Sequence, residues 1–352
     1  MADYISFQPS DHFNPKLYTG NASSSNAITG VGFQPDWVWI KGRTIAESHR
    51  IYDVVRGAAN HISSNANVAE SSSYPLTSFD SDGFTIGSSD VSVNGSYNYT
   101  AWNWKANGTP SSNSNGDLTS SVSVNATTGI SIGTYTSDIT GVGSKTVGHG
   151  LGKTPKLIIT KNLDQAGQRW GVQAPSILSA DHILELNTTA SQTNMSGNGS
   201  LSTVSSTVFS VNYADGVGNA TGSGNYIFYA FAEIQGFSSI GSYVGNSSTW
   251  GKFIHTGFRP ALVMAKRYDS GSEDWNVWDN KRIGYNVSGN DKLYWNKSDA
   301  EATGSDEVDF LANGFKWRTT NGGLKNNGGS YIYLAFAEQP FVASNETAAV
   351  AR

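Results

Sequence analysis

Three segments of the chain alternate aromatic and small residues in steps of two, at positions 97–104, 226–233 and 331–338. Because successive side chains of a strand point to opposite faces, this alternation is typical of a β-strand with one face packed into a core. Shorter apolar runs, such as Trp37-Val-Trp-Ile, predict strands that are largely buried. No stretch keeps an apolar period of about 3.6 residues for more than about two turns. The pattern therefore predicts an all-β protein.

The same pattern occurs three times along the chain. Each copy contains Gly-x-x-Pro, then an apolar run, then a lysine six positions after the proline: Pro35 and Lys41, Pro155 and Lys161, and Pro260 and Lys266. Glycine permits positive φ and proline fixes its own φ, so each motif predicts a turn that leads into a strand. From Gly152 to Gly257 and from Tyr226 to Tyr331 the spacing is 105 residues in both cases, which indicates an internal repeat.

The repeat predicts three tandem antiparallel β-sandwich domains of jelly-roll or lectin-like type, each with its first and last strands paired centrally. Copy 1 covers residues 1–108, copy 2 covers residues 117–236, and copy 3 covers residues 237–345 with a short C-terminal tail. Residues 106–116 carry no large apolar side chain and predict a linker or an exposed loop. Copies 2 and 3 are joined more tightly, so we expect them to pack closely while copy 1 hinges.

Composition excludes several classes of function. The chain has no cysteine, which excludes disulfides, zinc sites of cysteine type and thiol catalysis. Its net charge of −5 is spread without a Lys/Arg cluster, so no surface is suited to phosphate, and nucleic acid is not an expected partner. Neither a leader peptide nor a membrane span is predicted, and we expect synthesis in a cytoplasm.

Motifs for phosphate or metal binding are incomplete. Gly152-Lys-Thr lacks the earlier glycine of a phosphate-binding loop and is followed by Pro155. Asp80-Ser-Asp-Gly lacks the remaining ligands of a calcium loop, and its turn dipeptide instead predicts a β-hairpin, as does Asn313-Gly. Five acidic residues concentrated in copy 3 favour a solvated loop over a cation site: Asp299, Glu301, Asp306, Glu307 and Asp309.

A catalytic set is equally incomplete. Asp181 and His182, with Ser176 or Ser179, supply the residue types of a hydrolase triad, but a triad is defined by geometry. The histidines are scattered, without the spacing of metal ligands. We therefore predict a non-enzymatic protein and assign no catalytic, cofactor-binding or metal-binding residue.

The tryptophans divide into two groups. Trp102 and Trp104 lie on one face of a predicted closing strand, which favours core packing. Sugar-binding sandwiches stack pyranose rings on exposed aromatic side chains, and four tryptophans of copy 3 lie in irregular, polar surroundings where partial exposure is expected. These four are the candidate glycan contacts: Trp250, Trp275, Trp278 and Trp295.

Several longer motifs resemble structural proteins encoded by marine tailed bacteriophages. They include Tyr4-Ile-Ser-Phe-Gln-Pro-Ser-Asp-His-Phe, Gly32-Phe-Gln-Pro-Asp-Trp-Val-Trp-Ile-Lys, Ala101-Trp-Asn-Trp-Lys-Ala-Asn-Gly and Asp309-Phe-Leu-Ala-Asn-Gly-Phe. The resemblance implies a virion structural protein on the particle surface, on a tail fibre or other appendage or decorating the head. It also implies other virion proteins as partners and a homo-oligomer, with a trimer expected for a fibre. The family has no catalytic residues to assign.

Three functions follow as hypotheses. The first is a structural virion component, and the second is a glycan-binding adhesin that recognises a host surface. The third is a glycan-cleaving enzyme, which would need a deep cleft with two carboxylates about 5–10 Å apart.

Overall fold

The computed structural model describes residues 5–214, 217, 224–282, 290–305, 307–319 and 326–340. In that part of the chain the regular elements are β-strands and two 3-10 turns, Pro9–Asp11 and Ser196–Asn198, so the all-β prediction is confirmed. The described residues include no helix with the length and apolar character needed to cross a membrane.

Within the described ranges, the paired strands are antiparallel, and one isolated bridge is parallel. The strands are β1 (Phe13–Thr19), β2 (Asn26–Thr29), β3 (Trp37–Gly42), β4 (Arg50–Asp53), β5 (Leu76–Asp80), β6 (Gly83–Ile86), β7 (Asn98–Trp104), β8 (Ser111–Asn113), β9 (Ser120–Asn125), β10 (Ile130–Ser137), β11 (Ser144–Gly148), β12 (Leu157–Asn162), β13 (Trp170–Gln173), β14 (His182–Glu185), β15 (Thr193–Asn194), β16 (Val208–Asn212), β17 (Gly224–Phe231), β18 (Ser238–Val244), β19 (Phe253–His255), β20 (Phe258–Arg267), β21 (Asn276–Asp279), β22 (Asn290–Tyr294), β23 (Ala302–Ser305), β24 (Val308–Leu311), β25 (Gly314–Trp317) and β26 (Ser330–Pro340).

Each copy contains one central sheet with the same order of four strands. The orders are β1-β7-β3-β4 in copy 1, β10-β17-β12-β13 in copy 2 and β18-β26-β20-β21 in copy 3. The closing strand of each copy pairs with its first strand on one side and with the strand after Gly-x-x-Pro on the other. The central pairing of first and last strands is therefore present in all three copies.

A stacked tyrosine pair marks the same place in each central sheet. The ring centroids are 5.1–5.2 Å apart with interplanar angles of 11–14°: Tyr18 with Tyr99, Tyr135 with Tyr226, and Tyr243 with Tyr331. These pairs correct the alignment of copy 1 by two residues, because Tyr99 rather than Tyr97 corresponds to Tyr226. A shift of two keeps every side chain on its face of the strand.

A smaller outer sheet covers one face of each central sheet. The outer sheets are β2-β6-β5, β11-β16 and β19-β25-β24 in copies 1, 2 and 3. Between outer and central sheet lies a separate apolar core in each copy, with Phe84, Phe209 and Phe315 fully buried at equivalent strand positions. In each case two antiparallel sheets face each other across this core, and the hairpins predicted at Asp82-Gly83 and Asn313-Gly314 both form within the outer sheets.

The other faces of the three central sheets meet in one shared core. Trp37 stacks on Tyr229 with centroids 4.4 Å apart, Phe231 lies 5.9 Å from Phe336, and Phe336 lies 5.0 Å from Phe13. Each copy therefore contacts both others, and the expectation that copy 1 hinges is wrong. Trp102 and Trp104 lie in this core, so their predicted packing role is confirmed.

One polar contact recurs at every interface between copies. A ring nitrogen near the start of the fourth strand of each central sheet reaches a backbone carbonyl of a neighbouring copy. The contacts are His49 Nε2 to Tyr294 O (2.8 Å), Trp170 Nε1 to Ser63 O (3.0 Å) and Trp275 Nε1 to Glu185 O (2.9 Å). His49 Nδ1 accepts from Trp39 Nε1, so Nε2 carries the proton that it donates. Copy 1 thus binds copy 3, copy 2 binds copy 1, and copy 3 binds copy 2.

Residues 106–116 are not a free linker. Ala106 is buried in the shared core, and its N–H donates to Asp36 Oδ2 at 2.7 Å. Ser111–Asn113 forms β8, which pairs with β9 and extends the central sheet of copy 2. The polar composition of this segment reflects an edge strand with one exposed face, which sequence alone does not distinguish from a loop.

Candidate functional site

Trp250 is the most exposed large apolar side chain of the described residues, with 81% of its surface accessible. Its ring covers the ammonium of Lys316, whose Nζ lies 4.9 Å from the ring centroid. A cation in this position is attracted by the ring's electrons and fixes the ring against the sheet. The opposite face of the indole stays open to a ligand.

The loop that carries Trp250 is held by buried hydrogen bonds. Asn326 is fully buried, and its Nδ2 donates to Asn246 Oδ1 at 2.8 Å and to Ser248 O at 2.7 Å. Ser248 Oγ accepts the N–H of Trp250 at 3.1 Å. A Cβ on Gly251 would overlap the carbonyl oxygen of Trp317, so this glycine permits the close approach of loop and sheet. The exposed ring is therefore presented by a fixed backbone.

The outer sheet of copy 3 extends the apolar surface beside Trp250. Phe253 on β19 is 40% exposed and lies directly opposite Lys316 on β25. His255 points to the same side as Phe253 because it lies two residues along the strand. Asp309 faces Lys316 from β24 and accepts from Arg318 at 3.2 Å. We call Trp250, Phe253, His255 and Lys316 the aromatic face.

The same loop exists in copy 1 without its tryptophan. There Asn94 is the buried amide, and its Nδ2 donates to Asn21 Oδ1 and Ser23 O, both at 2.8 Å. Ala22 and Ser247 occupy equivalent left-handed positions, with φ of 53° and 54°. Counted from Asn21 and from Asn246, Ser25 stands where copy 3 has Trp250. The loop therefore does not need an aromatic residue to fold.

The sheet residues of the aromatic face are also particular to copy 3. Aligned on the buried phenylalanines of the outer sheets, the position of Phe253 holds Ala27 in copy 1 and Thr146 in copy 2. The position of Lys316 holds Thr85 in copy 1 and Ser210 in copy 2. Copy 3 alone thus carries an aromatic platform on this sheet among the described residues.

The other three candidate tryptophans are buried, so the expectation of partial exposure is wrong for them. Trp275, Trp278 and Trp295 are 1%, 0% and 1% exposed. Trp295 stacks on Trp39 of copy 1 with centroids 4.5 Å apart, and Trp278 packs edge-on against Trp317 at 5.3 Å. Their polar sequence surroundings are explained by contacts with other copies and with the outer sheet. The glycan-contact prediction therefore rests on Trp250 alone.

The residues considered for a hydrolase triad do not form a triad. Asp181 accepts from the N–H of Leu201 at 2.6 Å and from Ser200 Oγ at 3.0 Å, while His182 Nδ1 contacts Ala180 O at 2.8 Å. The carboxylate thus fixes a loop instead of orienting the imidazole. The carbonyl of Ser179 accepts from the N–H of His182, and the N–H of Ser179 donates to Gln192 Oε1 at 3.1 Å. Ser176 is exposed beyond β13.

Two acidic residues of the predicted solvated loop are buried in ion pairs. Glu301 binds Arg43 of copy 1 at 2.7 Å and Arg282 of its own copy at 3.0 Å. Glu307 is fully buried and binds Lys292 at 2.6 Å. Asp306 lies outside the described residues. Among the residues that are described, no group of three His, Cys, Asp or Glu side chains could hold a metal ion.

The turn motifs have structural roles. Asp82 accepts from the N–H groups of Gly30 and Gly32 at 2.9 and 2.7 Å, which lowers the pKa of its carboxyl below the ordinary value. Gly152 has a φ of 67°, which is the conformation expected at a Gly-x-x-Pro turn. His149 is buried, and its pKa is lowered by loss of solvent, whereas His255 is exposed on the aromatic face.

Fold and site together define an all-β protein of several antiparallel sheets with one exposed aromatic face. The chain belongs to the family described as a domain of unknown function (DUF7483), whose model matches residues 8–340. No curated protein and no solved structure matches the chain.

Proposed function

We propose that this chain is a non-enzymatic structural protein of a bacteriophage particle, located on a tail fibre or other appendage or on the head surface. The shared core supports this proposal. Sheets that pack on one another through a common apolar core form a rigid unit, and a structural component of a particle surface needs such rigidity. Two of the motifs that resemble phage structural proteins contribute to that core, with Trp37 on β3 and Trp102 and Trp104 on β7. Its partners in this proposal are other virion proteins.

The organisation proposed for the chain is three tandem β-sandwich domains, at residues 1–108, 117–236 and 237–345. The recurring strand order, the stacked tyrosine pairs and the three separate sandwich cores support the repeat. The shared core supports treating these domains as one folding unit.

A homo-oligomer, with a trimer expected for a fibre, remains part of the proposal. Because the inner faces are already buried within one chain, a second copy would have to use the outer surfaces. Light scattering on the purified protein gives the mass directly. A mass of three chains supports the trimer, and a mass of one chain contradicts it.

The location is tested by cryo-electron microscopy of intact particles, with symmetry imposed separately on head and tail. Density for this chain on the icosahedral lattice supports a head decoration protein. Density at the tail supports an appendage. Absence of the chain from purified particles, checked by mass spectrometry, contradicts the proposal.

A second function is favoured by one observation, the exposure of Trp250 on a loop that is complete without it. We propose that the aromatic face binds a host-surface glycan, with a pyranose ring stacked on the open face of Trp250 and polar contacts from His255, while Lys316 supports the ring from its other face. Lectin sites use such a combination of an aromatic ring and nearby donors.

The test replaces Trp250 by the residue of copy 1, as Trp250→Ser. On a glycan array of host surface polysaccharides we expect a loss of binding of at least about tenfold, which equals ~1.4 kcal/mol. Val142→Ser is the matched control, because Val142 is 74% exposed in copy 2 and far from this loop in sequence. Equal binding by Trp250→Ser and the control contradicts the glycan function.

A further inference from the structure

We propose a second, separate binding site in this protein, for a neutral saccharide of one or two rings, in a cleft between copies 1 and 2. The cleft has a volume of about 430 Å³ and lies beside Glu70 of copy 1 and strands β8, β9 and β10 of copy 2. Volumes of about 300–1,000 Å³ are typical of small-molecule sites. The site goes beyond the aromatic face, with which it shares no residue.

The floor of the cleft is a row of hydroxyl groups. Ser112 pairs with Ser121, and Ser121 pairs with Thr134, on three adjacent strands. Directly paired residues point to the same face, and neighbouring strands lie about 4.8 Å apart, so the row spans roughly 10 Å. The side chains of these three residues have no hydrogen-bond partner among the described residues, which leaves their donors and acceptors available to a ligand.

The position of this row follows from the packing of copy 2. On the same face of β10, Ile130 and Ile132 are buried in the shared core. Thr134 and Thr136 continue that face beyond the edge of the core, where β8 and β9 widen the sheet. The change from isoleucine to threonine thus marks the point at which the face leaves the core and meets the cleft.

Two carboxylates stand at the rim, and each is held by a donor. Glu70 Oε1 accepts from Arg56 Nη1 at 2.9 Å, and the N–H of Glu70 donates to Leu163 O at 2.8 Å. Asp164 accepts from the N–H of Asn225 at 2.7 Å. A carboxylate offers about four lone-pair positions, so both groups keep acceptor capacity for sugar hydroxyls. Their fixed positions lower the entropic cost of binding.

The lining selects a neutral polyol over other ligands. Neither Lys nor Arg is among the residues that line the cleft, so nothing neutralises a phosphate or a carboxylate ligand. A hard cation such as calcium needs six to eight oxygen ligands, and the described residues offer no group of three acidic or histidine side chains. Hydroxyl, amide and carboxylate groups together supply the mixed donors and acceptors that match sugar hydroxyls.

The site is tested on the full chain by saturation-transfer NMR with maltose, cellobiose, lactose and N,N′-diacetylchitobiose, each at millimolar concentration. We expect transfer to at least one disaccharide, and a loss of at least about fivefold in Thr134→Val combined with Ser121→Ala. Valine keeps the shape of threonine and removes only its hydroxyl. Thr29→Val is the matched control, because Thr29 is an exposed strand residue on β2.

The possible outcomes separate this site from the aromatic face and from catalysis. Transfer that persists in Trp250→Ser but falls in the double variant supports the cleft, whatever the fate of the proposed function. Transfer to none of the four disaccharides, or equal transfer in the double variant and in Thr29→Val, overturns it. Release of monosaccharides during the measurement would show that the protein hydrolyses the disaccharide, and this would overturn the proposal of a binding site.

Discussion

At the scale of single residues, two buried lysines each form a hydrogen bond between copies. Lys41 and Lys266, which follow the Gly-x-x-Pro turns, are fully buried. Lys41 Nζ donates to Ser298 O of copy 3 at 3.1 Å, and Lys266 Nζ donates to Thr189 O of copy 2 at 3.1 Å. Loss of solvent lowers the pKa of both ammonium groups to about 8. A residue predicted only as a repeat marker thus carries a contact between copies.

These lysines predict a pH dependence of stability. Because the pKa in the folded protein is below the unfolded value, the unfolded chain binds more protons between about pH 8 and 10, and stability rises with pH there. Lys266→Met removes the part of this effect that is due to Lys266, so the wild type should gain on the order of 1–2 kcal/mol over the variant between pH 7.5 and 9.5. Urea unfolding of both proteins at pH 7.5 and at pH 9.5, the two values named above, measures this difference in the free energy of unfolding.

The control for this measurement is Lys153→Met, since Lys153 is exposed. It should keep the pH dependence of the wild type. An equal pH dependence of Lys266→Met and the wild type would show that Lys266 is not desolvated as described.

At the scale of the element, each hairpin of the outer sheets depends on a glycine where two strands approach. A Cβ on Gly314 would overlap the carbonyl oxygen of Ile254, and a Cβ on Gly83 would overlap that of Ile28. Both glycines belong to the turn dipeptides that the sequence predicted. The close approach to a third strand, which makes glycine necessary, depends on the whole outer sheet.

Gly314→Ala should therefore destabilise the outer sheet of copy 3. We expect a loss of roughly 2 kcal/mol or more in the free energy of unfolding, because backbone has to move to relieve the overlap. Gly141→Ala is the control, since a Cβ there meets no atom within 4 Å. Thermal unfolding of the two variants compares them, and similar melting temperatures would refute the steric argument.

For the whole molecule, the shared core makes each copy depend on the other two. The inner face of copy 2 contributes Ile130, Ile132, Tyr229 and Phe231 to that core. Without copy 3, Phe231 would lose its contact with Phe336, and this part of the core would meet water. Burial of apolar area stabilises by about 25 cal/mol per Å², and a native protein is stable by only about 5–15 kcal/mol, so exposure of this surface should destabilise the remaining two copies.

A chain that ends at residue 236 should therefore not fold to a native-like state. We expect loss of near-ultraviolet circular dichroism and of a cooperative thermal transition, while the full chain unfolds in a single transition. Independent folding of the shortened chain, or three separate transitions in the full chain, would show that the copies are autonomous.

The sequence by itself determined the all-β class, the strands after Gly-x-x-Pro, the closing strands and both hairpins. Each of these follows from neighbouring residues, because period-two alternation and turn dipeptides act locally along the chain. The inward direction of Trp102 and Trp104 was predictable for the same reason.

Only the tertiary structure decided which faces meet. Trp275 and Trp295 are buried by copies 2 and 1, at contacts with Glu185 and Trp39 that are far away in sequence. Trp250 stays exposed because its loop lies on an outer sheet that no described element covers. The cleft beside Glu70 likewise exists only after copies 1 and 2 have packed. Burial depends on residues from other copies, and no local pattern contains that information.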